Sequence, residues 1–433
     1  MAATADGPRH IVIIGGGIIG CTSAYFLTRH PSYDPSKHRI TLLEASQIAG
    51  GASGKAGGLL ALWAYPSSIV PLSYQLHAQL AAEHGGEERW GYRAVHCGQI
   101  DCLGRQLPEE GRHSTKGEAK DEAIDGRSGD ASVSLQKRSK EAIARLKAAG
   151  IPPDLDWVSE ETKFTYDEMG DPSTTAQVHP FQFTTAMAEL AREKGADVKT
   201  GTVVKEIKYS ANGDAVEGVT FVDQCEEGQE TTIPATDVVV AAGPWTAKIL
   251  PQAPITAMRA HSVTIRPSRP VSAYALFTQI KLPANFGRAG ANGRTSSRGW
   301  GEQIVSPEIY ARPKNEVYAC GEGDRLVPLP ATTADVEVDE RRCQDIVDQV
   351  SSISDELRDG EVTARQACYL PNVIGGRGPL IGLTRTKGLV LAAGHTCWGI
   401  QNGPGTGKLV SEFVFEGKAK SAKVKDLDPR GIM

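Results

Sequence analysis

His10-Ile11-Val12-Ile13-Ile14-Gly15-Gly16-Gly17-Ile18-Ile19-Gly20 decides the fold. Four β-branched residues in succession read as a short strand. The glycines that follow fit G-x-G-x-x-G at Gly15, Gly17 and Gly20, and a helical pattern runs from Gly17 to about Arg29. A strand before this spacing and a helix after it make a dinucleotide cradle. Gly15 permits the tight turn, Gly17 lets backbone approach a pyrophosphate, and Gly20 lets helix and strand pack closely. Ile18 and Ile19 open the helix, whose first N–H groups and dipole face the phosphates. A loop from His30 to His38, marked by its prolines and serines, leads into a second strand from Arg39 to Glu44. Glu44, followed by Ala45, stands where an acid accepts hydrogen bonds from a ribose 2′-OH, and an acid there disfavours NADP. It lies 24 residues beyond Gly20 (44 − 20), and the Pro/Ser loop accounts for the extra length.

The rest of the chain sets limits. With 433 residues, two domains are the starting expectation. Composition is that of an ordinary globular protein, 40% hydrophobic and 23% charged. A net charge of −5 and a pI near 6.1 imply neither nucleic acid nor an anionic membrane as partner. No apolar run approaches the length of a membrane span, and the polar start suggests no secretory signal. Eight cysteines, at 21, 97, 102, 225, 320, 343, 368 and 397, form no C-x-x-C pair. No metal site follows from them, and a reduced cytoplasmic setting is expected.

Beyond the cradle, Pro71 to His84, Lys140 to Ala149, Gln182 to Lys194, Asp335 to Ser352 and Gly399 to Glu416 read as helices. Val198 to Val222 alternates like a hairpin or meander, and Asp237 to Ala241 is a buried-strand run. Val263 to Arg266, Ala273 to Thr278, Ile304 to Arg312, Val317 to Cys320, Val362 to Leu370 and Gly388 to Ala393 read as further strands. Gly104 to Gln136 is dense in Gly, Ser and mixed charge and reads as a mobile surface insert. Asn285 to Gly301 is a second Gly/Ser/Arg-rich loop. So βαβ ends flank a β-rich middle.

Three further segments carry a resemblance. Ala52-Ser53-Gly54-Lys55-Ala56-Gly57-Gly58, Ala241-Ala242-Gly243-Pro244-Trp245 and Gly394-His395-Thr396-Cys397-Trp398-Gly399-Ile400-Gln401-Asn402-Gly403-Pro404-Gly405-Thr406-Gly407 resemble, in order and spacing, the D-amino-acid-oxidase-like flavoproteins. That family includes glycine, sarcosine and fructosyl-amine oxidases. The chain looks closest to an uncharacterised fungal oxidoreductase branch, some of whose members are connected with endosomal trafficking. The resemblance implies an α/β fold: a Rossmann-type FAD-binding domain with a discontinuous α+β substrate domain on a mixed antiparallel sheet. The FAD-binding parts would be 1–90, 177–250 and 375–433; the substrate parts 91–176, with the insert 104–136, and 251–374. It also implies that Ser53 to Gly58 pass the pyrophosphate and the flavin ring, where small residues admit backbone. The backbone at Val204 would meet adenine, and Ala242, Gly243 and Trp245 would lie beside the cofactor. Gly394, His395, Trp398, Gly399, Ile400 and Gln401 would surround the flavin's pyrimidine edge, where a helix N-terminus favours the reduced anion. Trp398 and Tyr369 are candidates for the substrate cavity wall, with core packing as the alternative. Cys368 falls where some branches bond a cysteine covalently to the flavin, a step needing a thiolate and a nearby cation. As bare residues, Cys368 is a small buried hydrophobe and Val204 a strand valine.

The implied chemistry is removal of a hydride from a carbon beside an amine onto flavin N5, with oxygen or an electron carrier as final acceptor. No catalytic residue is singled out, and no role as base is assigned to His395. Amino-acid oxidases hold the substrate carboxylate with Arg or Lys. Here the corresponding positions are Cys397 and Gln401; Arg312, Arg365 and Arg377 are candidate replacements, although each reads more readily as a surface or structural arginine. That puts an α-amino acid in doubt and admits a simple or secondary amine. Two other readings stay open: a flavin-bearing interaction or trafficking protein with little turnover, peripherally associated with endosomes, and an NAD-only dehydrogenase.

Overall fold

The computed structural model describes residues 8–107, 150–224, 228–286, 301–376 and 378–433. The helix read from Lys140 to Ala149 and the residues Cys225 and Arg377 lie outside them, as do most of the insert 104–136 and of the loop 285–301.

The opening strand, Arg9–Ile14, pairs in parallel with His38–Leu43 on one side and Asp237–Val240 on the other. The six-stranded sheet so built runs Leu380–Leu383, Leu389–Ala393, Asp237–Val240, Arg9–Ile14, His38–Leu43, Asp197–Lys199. Alternation along the opening strand supplies two cores. Ile11 and Ile13 pack with Ile18, Leu27, Phe183, Val410 and Val414 under the helices Ile18–Leu27, Pro180–Glu193 and Gly399–Glu416. Val12 and Ile14 pack with Val219 and Phe221 of an antiparallel three-stranded sheet, Thr202–Tyr209, Val216–Asp223, Glu230–Pro234.

The C-terminal helix Gly399–Glu416 crosses the first helix at glycines. A Cβ on Gly407 would lie 2.5 Å from the Thr22 backbone, and one on Gly403 would lie 2.6 Å from Ile18 Cγ1. The helix keeps Pro404 inside it. A proline leaves the carbonyl four residues earlier without its helical donor, and here that carbonyl, Ile400, accepts from His77 Nε2 at 2.9 Å.

The β-rich middle forms an eight-stranded sheet ordered Glu361–Val373, Ile255–Arg266, Glu316–Cys320, Glu308–Arg312, Tyr274–Leu282, His96–Leu103, Thr165–Gly170, with Gln303–Val305 pairing Tyr274–Leu282. It is antiparallel except where Tyr274–Leu282 meets His96–Leu103. The helix Glu340–Ser351 buries Cys343, Ile346, Val347 and Val350 against one face.

Local chemistry moves three boundaries from their sequence positions. The strand read from Ile304 to Arg312 is broken before Glu308, where the Pro307 carbonyl accepts from Thr278 Oγ1 at 2.6 Å. The helix read from Asp335 begins at Glu340, because Asp339 caps the Arg341 and Arg342 N–H groups. The strand read to Leu370 continues through Pro371 to Val373, on a sheet edge where a missing N–H is tolerated.

Candidate functional site

The turn after the first strand opens on a cavity of about 340 Å³. Gly15, Gly17, Glu44, Ala45, Ser53, Val204, Ala242, Gly243 and Trp245 all line it. Gly15 has φ +112°, and a Cβ there would meet the Ala241 carbonyl oxygen at 2.5 Å. Gly20 permits the contact expected of it, since a Cβ would fall 1.9 Å from the Gly15 oxygen. Glu44 is buried beside the turn. Its Oε2 accepts from Gly16 N at 2.7 Å and its Oε1 from Ser46 N at 2.9 Å. Both bonds fix the carboxylate, and unused lone pairs remain for a ribose hydroxyl. Ser53 Oγ accepts from Ile18 N at 2.9 Å, tying the glycine-rich loop to the first turn of the helix. Sequence reasoning missed Gly50, Gly51, Thr202, Thr332 and Thr333, which also line the cavity. Thr333 is held there by a short hydroxyl contact with Ser46.

The loop then leads from this cavity to the eight-stranded sheet. Gly57 lies on the Tyr310 ring, where a Cβ would fall 2.4 Å from Tyr310 Cε2; Gly58 has φ +94°. Lys55 Nζ donates to the Ala367 carbonyl at 2.9 Å. Arg312 donates to the carbonyls of Ala56 and of Gly57, the latter at 3.3 Å, and to Glu316 Oε1 at 2.8 Å. Its guanidinium also sits 4.8 Å over the Tyr318 ring.

The C-terminal segment reaches the same place. Gly399 and Gly403 sit against Ile18, so two helix N-termini converge at the cradle. Gln401 Oε1 accepts from Ala61 N at 2.8 Å, while its Nε2 is buried without a hydrogen-bond partner among the described residues. His395 is buried, and its Nε2 shares a hydrogen bond with Thr406 Oγ1 at 3.0 Å. Burial lowers its pKa to about 3, so the ring is neutral and committed to its own helix. Trp398 meets Trp63 edge-on at 5.6 Å, Trp63 meets Phe277 at 6.0 Å, and Phe277 meets Tyr310 at 6.3 Å.

The structure also places four of the residues for which the sequence left alternatives open. Tyr369 does not line this face: it neighbours Cys368 on one strand, so it points to the other side, and its hydroxyl donates to Val327 and Pro328 carbonyls at 3.0 Å. Arg312, a candidate carboxylate anchor, is taken up by the loop carbonyls. Arg365 is paired with Gln344 at 2.6 Å and Glu340 at 3.5 Å. The cation needed beside Cys368 is present as Lys55, yet burial outweighs it and pushes the thiol up to about 11.

The residues present therefore fit FAD. The cavity can take the adenosine and pyrophosphate, the small-residue loop brings backbone onto Tyr310, and Gln401 offers an unpaired donor. The comparisons agree. The family model for FAD dependent oxidoreductases, DAO, matches residues 10–413. "Putative oxidoreductase TDA3" of Saccharomyces cerevisiae is 37% identical over 98% of this chain and 95% of its own. "Putative oxidoreductase C1F5.03c" of Schizosaccharomyces pombe is 34% identical over 98% and 99%. Among solved structures, glycine oxidase from Bacillus cereus superposes with a TM-score of 0.64 at 20% identity, covering 95% of this chain and 96% of that one. L-proline dehydrogenase from P. horikoshii also gives 0.64, at 17% identity over 98% and 97%. No helix among the described residues is long and apolar enough to cross a membrane. The family model and both fungal relatives thus span nearly the whole chain, cradle and C-terminal helix included, and the chain belongs to the DAO family of FAD-dependent oxidoreductases.

Proposed function

We propose that the chain oxidises a C–N bond of a small amine or amino-acid-like molecule. Bound FAD would supply the hydride acceptor, at flavin N5. The observation that carries this reading is the face where the loop Ser53–Gly58, the Trp398 turn and the sheet residues Glu308, Tyr310 and Phe277 meet. Its aromatic side chains support reading this face as the wall that the flavin ring and substrate would meet. Solved structures of similar fold include a glycine oxidase, an L-proline dehydrogenase and an iminodiacetate oxidase, whose names describe action on amino or imino acids. Residues Gly15 to Gly20, Glu44, Ala45, Val204, Ala242, Gly243 and Trp245 would hold the adenosine and pyrophosphate. Ser53 to Gly58, Cys368 and the segment Gly394 to Gln401 would hold the ring. Trp63, Trp398, Phe277 and Tyr310 would exclude water and orient the reacting carbon. Oxygen or a carrier would take the electrons onward.

The test is an anaerobic titration of the purified flavoprotein with primary amines, secondary amines and amino acids. Bleaching of the flavin bands by one class supports the reading. Flavin bands that no member bleaches would favour the second reading, a flavin-bearing interaction protein with little turnover.

A further inference from the structure

We propose that Glu308 binds the ammonium group of the substrate, so that the site takes a cationic amine with no carboxylate beside the reacting carbon. This rests on the C–N oxidation reading above.

Cross-strand register sets the geometry. Phe277, Glu308 and Cys320 are direct partners across three strands, and the next row in the same direction carries Ala275, Tyr310 and Tyr318. Partners in register, and residues two apart, share one sheet face. Glu308 therefore stands on the face that Gly57 approaches. The Tyr310 hydroxyl donates to its Oε2, and Cys320 Sγ lies 3.8 Å from the same oxygen. No Lys, Arg or His forms an ion pair with it among the described residues. Burial raises its pKa, and these two hydrogen bonds lower it only in part.

A carboxylate without a cation in an aromatic surround is unfavourable alone and complementary to an ammonium. Trp398, Trp63, Phe277 and Tyr310 form an unbroken series of ring contacts from the C-terminal turn to the Glu308 hydroxyl donor. Aromatic faces with an acid are the chemistry that recognises cationic amines. The same carboxylate can accept the proton: an ammonium N–H bond breaks, a Glu308 O–H bond forms, and the amine is left neutral with its lone pair free. A substrate carboxylate placed here would meet Glu308 instead of a guanidinium, since Arg312 is bound to Ala56, Gly57 and Glu316.

The experiment titrates the FAD-loaded protein with benzyltrimethylammonium, a cation with no nitrogen lone pair, and with phenylacetate. It reads perturbation of the flavin spectrum and the melting temperature. Wild type should bind the cation at least tenfold more tightly than the carboxylate. Glu308→Gln should lose that binding tenfold or more while keeping its flavin, and Glu308→Asp should keep the preference. Phenylacetate binding as tightly as the cation, no binding of either, or an unaltered Glu308→Gln protein would overturn the proposal. Should Glu308→Gln fail to fold, the wild-type preference still decides. Anaerobic bleaching by amines is measured separately. Cation preference without bleaching would keep this site and remove the oxidation reading. Bleaching with no cation preference would do the reverse.

Discussion

Replacing Arg312 by Met separates a loop clamp from a substrate anchor. The side chain is buried, with 3% of its surface exposed, and joins the sheet to the loop by bonds to the Ala56 and Gly57 carbonyls. Hydrogen bonds from a charged donor contribute about 1.5–3 kcal/mol each. The ion pair with Glu316 adds little, because that carboxylate is 31% exposed and water can take over. The contact over Tyr318 adds about 1 kcal/mol. Methionine keeps the apolar packing of the stem, so the lower ends of these contributions set the expected loss at roughly 4 kcal/mol, about a thousandfold in the folding equilibrium. Urea unfolding should show a lower midpoint at unchanged slope, and gel filtration should strip flavin from the variant. Arg312→Lys should fall between, since an ammonium cannot reproduce the fork to two carbonyls and a carboxylate. The reasoning is refuted if Arg312→Met unfolds with wild type and retains its flavin. A change confined to KM for acidic substrates would restore Arg312 as the carboxylate anchor that its sequence position allowed.

Gly17→Val should yield colourless protein, because the Cβ falls 3.0 Å from Ser53 Oγ and its methyls enter the cavity; a yellow variant in the absorption spectrum counts against the cradle as placed. Gly407→Ala should lower the melting temperature more than Gly403→Ala. Its Cβ meets Thr22 backbone, which cannot rotate away as the Ile18 side chain can, and overpacking of this kind costs about 1–3 kcal/mol; the opposite order contradicts the crossing. Acid should destabilise the fold through His395 and His77, whose pKa values burial lowers to about 3 and about 4. The unfolded chain takes up protons near pH 6.5 and the folded chain does not. Stability from these rings is therefore whole above about pH 6.5 and declines as pH falls toward the folded values. His395→Gln should flatten that decline in chemical unfolding, and an unchanged slope refutes the assignment. Acid precipitation should leave FAD in the supernatant, because Cys368 is a buried thiol with its pKa near 11 and little thiolate; a yellow pellet shows a covalent bond.

What was legible in the sequence was whatever rests on local backbone demands. Gly15 and Gly20 must be small because neighbouring backbone occupies the space a side chain would need, Gly17 because a Cβ would meet Ser53 Oγ, and such requirements are visible in one line of sequence. The C-terminal helix was legible to its bounds, Gly399–Glu416, although Pro404 stands inside it. Its remedy, His77 donating to the Ile400 carbonyl, was not, because it joins residues 323 apart. The segment Glu308-Ile309-Tyr310-Ala311-Arg312 carried an unused signal. Polar or aromatic residues alternate with Ile309 and Ala311, as in a strand with one face on a core and one on a site. Which face met the loop at Gly57 depended on pairing with Phe277 and Cys320, and register between distant strands leaves no mark on a single strand.

The same pairing explains why counting arginines could not name the substrate. A buried guanidinium can serve a ligand only if the fold does not already need it. Arg312 is held by two carbonyls, Arg259 by Asp324 at 3.2 Å, and Lys55 by the Ala367 carbonyl. Turning any of them toward a substrate would break a buried charge-assisted contact, a loss that one new carboxylate bond only replaces. Glu308 is in the opposite position. Its hydrogen bonds come from a hydroxyl and a thiol, which leave the negative charge uncompensated. A cation bound there forms a new ion pair without dismantling an old one. The preference for an amine over an acid thus follows from which buried charge has no opposite charge beside it, and the binding of benzyltrimethylammonium against phenylacetate measures that difference directly.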